Sequence, residues 1–233
     1  MELAPTSDRR LDIAVGASLA WYEDIFRVHR IPTRYEGGLW RALGEPPRWH
    51  SVAKTVHPKV PAARVLRAVE QFERCSVADS YGTLDLAAHG FQLLFRATWL
   101  FRDAPAGPTP SWPFGWSLVA DQAELAAWNA LQDTTGVLVP ALLLHPRFTF
   151  LVRRASEQMV AGAVLHRVDN AVELSNTWAR GNEGNEIPSM LRCAEVLYSE
   201  LPVVGYSRND TVSSYTDAGF GAIGPQVVWV RGE

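Results

Sequence analysis

The side chains best suited to chemistry lie in the C-terminal half of this 233-residue chain. Tyr215 stands four positions before the pair Gly219-Phe220, and Glu173 lies in an apolar segment shortly after His166 and Asp169. A phenol, with an ordinary pKa of about 10, can donate a proton, and a carboxylate or an imidazole can accept one. These residue types therefore suit general acid and base chemistry.

A glycine-rich loop is the second feature of this half. It reads Arg180-Gly181-Asn182-Glu183-Gly184-Asn185 and stands before a predicted helix. Free backbone N–H groups at the start of a helix can hold an anion such as a phosphate. Arg180 and the two glycines favour that use, whereas Glu183 adds a negative charge there. A flexible Gly/Asn connection between a strand and a helix is the alternative.

The spacing of cysteines and histidines indicates no metal site. Cys75 and Cys193 are far apart in sequence without a CxxC motif, so neither a disulfide framework nor a zinc site is expected. His50 and His57 flank a predicted strand, and at that spacing they would project to opposite faces. We therefore expect ordinary polar roles for both histidines and a reducing cytoplasmic location for the protein.

Hydrophobic periodicity predicts an alternating order of elements after residue 115. The order is strand, helix, three strands, helix, strand, helix, strand, and Asp121 is expected to cap the first helix with Glu124 at its third position. The three consecutive strands, separated by short polar turns, indicate an antiparallel meander. The predicted ranges are 116–119, 124–131, 148–154, 159–167, 171–178, 187–201, 203–206, 211–218 and 222–231.

The N-terminal half is predicted to contain helices at 19–29 and 61–74 and a strand at 49–56. Residues 103–115 contain four prolines and two glycines, a composition that favours an extended linker. We therefore expect an N-terminal domain over residues 1–104, a linker over 105–115 and a C-terminal domain over 116–233.

The two halves share a similar order of features. In the first half, the run from Val77 to Tyr81 is followed by a short helix over 83–89, by Gly90-Phe91 and by a strand ending at Arg102. This order parallels the run from Val203 to Arg231. A degenerate repeat and a coincidence between two common packing units both explain this pattern.

The segment from Tyr215 to Phe220 resembles the Tyr-x-x-x-Gly-Phe signature of the GNAT family of N-acetyltransferases. The resemblance covers residues 116–231 and implies an α/β (α+β) fold with a mixed, mostly antiparallel sheet flanked by helices. It also suggests that the N-terminal half is a degenerate, tandem GNAT-like copy, in which Leu86 replaces the tyrosine. In this family the glycine ends its helix in a conformation that a side chain would oppose, and the phenylalanine packs beneath the sheet.

The same resemblance implies direct acyl transfer from acetyl-CoA or another acyl-CoA to a small amine. The co-substrate would lie in a wedge between two central strands, and Tyr215 would protonate the departing thiolate. Glu173 is the leading general base, although its alternation with Val172 and Leu174 favours a solvated outer residue. The residues expected to contact acyl-CoA are Leu174, Ser175, Asn176, Arg180, Gly181, Asn182, Gly184, Asn185, Ser207 and Asn209.

Composition limits the other function classes. The formal net charge of −3, with Lys and Arg spread along the chain, predicts no nucleic-acid partner. The most apolar region, 136–144, is shorter than the roughly 20 residues of a membrane span, so no membrane partner is expected. A catalytically inactive GNAT-like ligand-binding or assembly module, and other acyl-thioester chemistry such as decarboxylation, remain alternatives. The sequence leaves the oligomeric state open.

Overall fold

The structure of the chain is a computed structural model that describes residues 9–208 and 210–232. Its α-helices are α1 (Arg9–Val28), α2 (Ala62–Ala68), α3 (Gln122–Gln132), α4 (Ile187–Leu197) and α5 (Val212–Asp217). Short 3₁₀ helices lie at Ala87–His89, Pro140–Leu144 and Glu183–Asn185. Its strands are β1 (Thr33–Glu36), β2 (Leu39–Ala42), β3 (Ala53–Thr55), β4 (Cys75–Asp79), β5 (Gln92–Arg102), β6 (Trp116–Leu118), β7 (Phe148–Ala155), β8 (Gln158–Val168), β9 (Ala171–Ala179), β10 (Val203–Arg208) and β11 (Gly221–Arg231).

The chain forms two compact units that interleave along the sequence. Unit 1 contains the described residues of 9–18, 98–118 and 149–224, and unit 2 contains those of 19–97, 119–148 and 225–232. Residues 103–115 connect β5 to β6 without forming a helix or a strand, in line with their proline content. The predicted division into an N-terminal domain (1–104), a linker (105–115) and a C-terminal domain (116–233) stays a prediction.

Unit 1 contains the predicted meander. Its strands follow the order β5-β10-β9-β8-β7-β6, to which β5 contributes residues 98–102. Strand β8 pairs antiparallel with β9, and β10 pairs parallel with β9. One face carries a hydrophobic cluster in which α4 packs on β8 and β9 through Met190, Leu191 and Ala194. The helix presents these residues at positions i, i+1 and i+4, as one apolar face requires. It ends at Leu197, four residues before the predicted end.

In unit 2 the strands follow the order β1-β2-β3-β4-β11, to which β11 contributes residues 225–231. The first three form a second antiparallel meander. The β1–β2 pairs are antiparallel across Gly37-Gly38, both at positive φ, which suits a two-residue hairpin turn. β3 then pairs parallel with β4. Both units are therefore mixed, mostly antiparallel sheets flanked by helices, and the predicted fold class is confirmed.

Several boundaries differ from the predicted ones. The helix expected at 19–29 begins at Arg9, because Ala14, Val15 and Ala17 continue its buried face. The strand expected over 49–56 is confined to Ala53–Thr55, since Trp49 adopts φ +69°, which is not extended backbone. Helix α2 stops at Ala68, short of the predicted Arg74.

The caps of α3 confirm the prediction for Asp121. Its carboxylate accepts hydrogen bonds from the N–H groups of Ala123 and Glu124, each at 2.9 Å. The Glu124 carboxylate in turn accepts one from Ala120 N–H at 2.8 Å. Asp121 thus satisfies two N–H groups that the helix leaves free at its start, and Glu124 binds the residue that precedes the cap.

The Gly-Phe pairs of the two halves have the same local geometry. Gly219 lies at φ +92° and Gly90 at φ +78°, the region that favours glycine. The next residue donates its N–H to the carbonyl five positions back in both cases, from Phe220 to Tyr215 at 3.1 Å and from Phe91 to Leu86 at 3.3 Å. Each phenylalanine is buried in its own unit's core.

Candidate active site

The parallel pair β9–β10 opens into a fork in unit 1. The paired residues are Val203 with Val172 and Val204 with Glu173, yet β9 continues to Ala179 and β10 to Arg208. At the vertex Gly205 brings β10 close to β9, because a Cβ there would lie 2.7 Å from the carbonyl oxygen of Leu174. Beyond the vertex both strands continue for several residues past the last pair of their parallel ladder.

A β-bulge in β9 reorients the side chains along one arm of the fork. Gly162 pairs with Trp178 and Val164 pairs with Ser175, so Asn176 and Thr177 together oppose a single residue of β8. Asn176 has φ +49°, a left-handed conformation that asparagine tolerates better than most residues.

The extra residue shifts the alternation of β9 by one. Before the bulge Val172 and Leu174 face the cluster beneath α4, and after it Ala179 does so. Thr177 accordingly faces the same side and reaches α5. The bulge is thus the reason that the Thr177 hydroxyl of β9 reaches α5, the helix that carries Tyr215.

Tyr215 is buried, with 6% of its surface exposed, and its ring packs edge-on against Phe220. Its hydroxyl oxygen lies 2.9 Å from Oγ1 of Thr177, which donates its own hydrogen to Oε1 of Glu183 at 2.6 Å. The tyrosine hydroxyl also lies 3.5 Å from that carboxylate oxygen. The Tyr215 hydroxyl is therefore hydrogen-bonded inside the protein and does not point into water.

Burial changes the acidity of both ends of this group of three side chains. It raises the pKa of the Tyr215 phenol above its ordinary value, and the neighbouring Glu183 carboxylate adds to the increase. Desolvation also raises the pKa of Glu183, against hydrogen bonds from Thr177 and Tyr215 that lower it. The phenol consequently holds its proton at physiological pH, as a general acid must.

Glu173 lies at the vertex, in the last β9–β10 pair, and is 2% exposed. It is directly opposite His166 on β8, and its Oε2 lies 3.9 Å from Nδ1 of that histidine. The expectation of a solvated outer residue is wrong, because this face of the strand is covered. The two groups are neighbours, but 3.9 Å is beyond hydrogen-bond distance.

The glycine-rich loop is folded onto its own polar groups. The side chain of Asn182 accepts from Gly184 N–H at 3.0 Å, while Asn185 N–H and Glu186 N–H donate to the carbonyls of Asn182 and Glu183. Glu186, at the start of α4, forms an ion pair with Arg153 at 2.5 Å. In this conformation the loop does not suit a diphosphate, because the carboxylates of Glu183 and Glu186 adjoin it and the N–H groups of Gly184 and Asn185 already donate within it.

The remaining predicted contact residues are dispersed around the fork. Leu174 is in the hydrophobic cluster, Ser175 is half-buried next to the bulge, and Gly181 is exposed at φ +102°. Arg180 is exposed and donates to Gln158 at 3.1 Å. Ser207 lies on the far arm, with its hydroxyl 2.6 Å from that of Thr211. Asn209 lies outside the described residues.

Residues 9–208 and 210–232 contain no group of three or more potential metal ligands.

His50, expected to be an ordinary polar residue, instead accepts a hydrogen bond from Trp21 at 3.1 Å among the aromatic rings of Tyr22 and Phe26. Burial lowers the pKa of His50 to about 4.

Within residues 9–208 and 210–232 no helix is long and apolar enough to cross a membrane.

Comparisons with known proteins identify the fold. The structure is similar to a GCN5-related N-acetyltransferase from Kribbella flavida, with a TM-score of 0.66 and 16% identity over 95% of this chain and 97% of that one. It is also similar to a GCN5-related N-acetyltransferase-like protein from Streptococcus suis, with a TM-score of 0.55 and 14% identity over 96% and 98% of the two chains. A third, a GCN5-related N-acetyltransferase from Sphaerobacter thermophilus, has a TM-score of 0.52 and 14% identity over 84% and 77%.

No protein-family model and no curated protein sequence matches this chain. The structural similarity extends over nearly all of the chain, so the chain has the GNAT fold. At these identities the comparison defines the fold alone, and the activity has to be argued from the fork and its side chains.

Proposed function

We propose that the protein is an acyl-CoA-dependent N-acyltransferase that acetylates a small amine by direct transfer. The observation that supports this most strongly is the buried Tyr215 hydroxyl, hydrogen-bonded to Thr177 on an arm of the β9–β10 fork. Acyl-CoA supplies the activated thioester carbonyl. The chain's own residues supply a slot between strands, a proton donor and a proton acceptor.

Tyr215 is the proposed general acid. Its raised pKa keeps a proton on the phenol oxygen, and the hydrogen bond to Thr177 fixes the ring's orientation. Glu183 shares the Thr177 hydroxyl, so once its carboxylate has taken up a proton from solvent it can pass that proton through Thr177 to the phenol oxygen. A positioned acid of this kind contributes about 10²- to 10⁴-fold to a rate.

Glu173 is the proposed general base. It lies in the last residue pair before the fork opens, and His166 lies beside it. A carboxylate at the vertex can accept a proton from an amine there. Asp169 is a weaker candidate, because it lies in the turn between β8 and β9, beyond the paired strands.

The residues of the fork fit the arm of an acyl thioester better than the loop fits a diphosphate. Gly205 admits a close backbone approach, and the bulge at Asn176 turns backbone groups of β9 away from β8. Binding of the diphosphate would require Glu183 and the loop 180–185 to move, or would use other residues.

Calorimetry on the whole protein tests the proposal. Acetyl-CoA and CoA are titrated separately, and thiol release is then followed with a panel of primary amines. We expect acetyl-CoA to bind and at least one amine to accelerate thiol release. Absence of binding by both acetyl-CoA and CoA would refute the proposal.

A second candidate is a GNAT-like module that binds a ligand or a partner without catalysis. Two observations support it. The loop 180–185 is hydrogen-bonded internally, and the Glu183 carboxylate would repel a diphosphate. In that case acetyl-CoA binding would be absent and the Tyr215→Phe substitution would alter stability alone.

We also propose that the N-terminal half is a degenerate copy of the C-terminal half. Both contain a meander, a helix, a parallel strand and a Gly-Phe turn in the same order. Leu86, fully buried, stands at the position of Tyr215, so this half lacks the proton donor. Its place in the protein would be structural or accessory.

A further inference from the structure

Unit 2 contains an open cleft of about 410 Å³ between the β1–β2 hairpin and helix α2. Its charged lining consists of Arg34, Glu36, Arg41, Arg64, Arg67 and Glu70. Four guanidinium groups thus face one cleft against two carboxylates, which leaves an excess of positive charge. None of these lining residues belongs to the fork described above.

Two of these arginines repel each other across the hairpin. Arg34 on β1 is directly paired with Arg41 on β2, so both side chains leave the same face of the sheet. Like charges directly opposite one another in an antiparallel pair are destabilising. A bound anion between them would remove that cost.

Two arginines are also held in place without losing their charge. Arg41 donates to the carbonyl of Ala68 at 3.3 Å, and Arg64 donates to the carbonyl of Gly37 at 2.7 Å. A carbonyl orients a guanidinium but does not neutralise it, so the remaining N–H groups stay available. The guanidinium groups of Arg41 and Arg64 are therefore partly preorganised for an oxyanion.

The other two arginines have no such anchor. Among residues 9–208 and 210–232, Arg34 and Arg67 form neither a side-chain hydrogen bond nor an ion pair. Glu36 and Glu70 lie in the same cleft without an ion pair to either of them within those ranges. Arg34 and Arg67 can thus reorient towards a ligand at little energetic cost.

We propose that this cleft binds a small oxyanion with two or more negative charges, carried by phosphate or carboxylate groups. Arg41 and Arg64 provide the fixed part of the site, and Arg34 and Arg67 close on the anion. The volume suits a metabolite rather than a macromolecule, and the two glutamates disfavour long polyanions. The proposal goes beyond the acyltransferase function and does not depend on it.

The test uses inorganic pyrophosphate and citrate, titrated into the whole protein at low ionic strength, where charge interactions are least screened. We expect at least one of them to bind and to raise the melting temperature, because a ligand that binds the folded state stabilises it. Tighter binding of pyrophosphate would indicate a phosphate ester, and tighter binding of citrate would indicate a polycarboxylate.

Variants decide whether the anion lies in the cleft. Arg34→Gln and Arg67→Gln should each weaken binding by about tenfold, as the loss of one charged hydrogen bond predicts. Arg96→Gln is the matched control, because Arg96 is an exposed residue of unit 2 outside the cleft. Equal weakening by Arg96→Gln, unchanged binding in the Arg34 and Arg67 variants, or no binding of either anion at millimolar concentration would overturn the proposal.

Discussion

The hydroxyls of Thr177 and Tyr215 lie 2.9 Å apart, and the direction of their hydrogen bond follows from counting hydrogens. A threonine hydroxyl has one hydrogen, and Thr177 donates it to Glu183 at 2.6 Å. Tyr215 must therefore donate to Thr177. A chain of donors runs from the phenol through the threonine to the carboxylate.

Thr177→Val removes the middle of this chain at nearly constant volume. The buried Tyr215 hydroxyl loses its acceptor, so we expect the free energy of unfolding to fall by about 1–3 kcal/mol and turnover to fall with it. The matched control is Thr149→Val, because Thr149 and Tyr198 form another 2.9 Å hydroxyl pair in unit 1. Chemical denaturation and thiol release should show a stability loss in both variants and a loss of turnover in Thr177→Val alone.

Glu183→Gln should change how stability depends on pH. The pKa of Glu183 is raised in the folded state, so its contribution is fully present below the pKa of the unfolded chain. That contribution is lost as the pH rises through the folded value. Between pH 4 and pH 8 the wild type should lose stability relative to Glu183→Gln.

Unfolding by urea at several pH values measures this difference. Glu157→Gln, at an exposed turn position, is the control and should follow the wild type at every pH. Parallel curves for the wild type and Glu183→Gln would show that this carboxylate is not desolvated.

Asn176 should tolerate glycine far better than valine. At φ +49° a β-branched side chain is strained, which costs on the order of 1–3 kcal/mol, whereas glycine adopts this conformation freely. Asn176→Val should lower the melting temperature and the turnover together, since Thr177 would lose its orientation. Comparable melting temperatures for the glycine and valine variants would argue against the bulge.

Gly205→Ala should displace β10 from β9 at the vertex of the fork. The added Cβ would lie 2.7 Å from the carbonyl oxygen of Leu174, closer than such atoms approach, so β10 has to shift. We expect a loss of about 1–3 kcal/mol in stability and weaker acetyl-CoA binding. In the control, Gly16→Ala, the new methyl group meets nothing within 4 Å, and helix α1 should become slightly more stable.

Apolar periodicity and turn residues predicted most elements after residue 115, because the strands and helices there follow simple patterns. Asp121 and Glu124 form the predicted cap, and the three-strand meander is confirmed. The start of α1 was missed, since small residues such as Ala14 and Ala17 carry its buried face and give a weak apolar signal. The strand predicted to begin at Trp49 begins later, because Trp49 has a positive φ that no hydrophobic pattern predicts.

The site was only partly predictable. Tyr215 was identifiable from its spacing to Gly219-Phe220, but its contact with Thr177 depends on the bulge at Asn176. Strict alternation places Thr177 on the face of Glu173 and away from Tyr215. An asparagine within an apolar strand was the available signal, because asparagine is enriched at positive φ.

The comparison of Tyr215→Phe with the wild type tests the central claim most directly. Turnover and the acetyl-CoA dissociation constant are measured between pH 6 and pH 10, a range in which the raised pKa keeps the phenol protonated and no alkaline loss should come from Tyr215. We predict that the variant loses turnover by about 10²- to 10⁴-fold while its acetyl-CoA affinity changes little. Unchanged turnover at every pH would contradict a role for the Tyr215 hydroxyl as the acid.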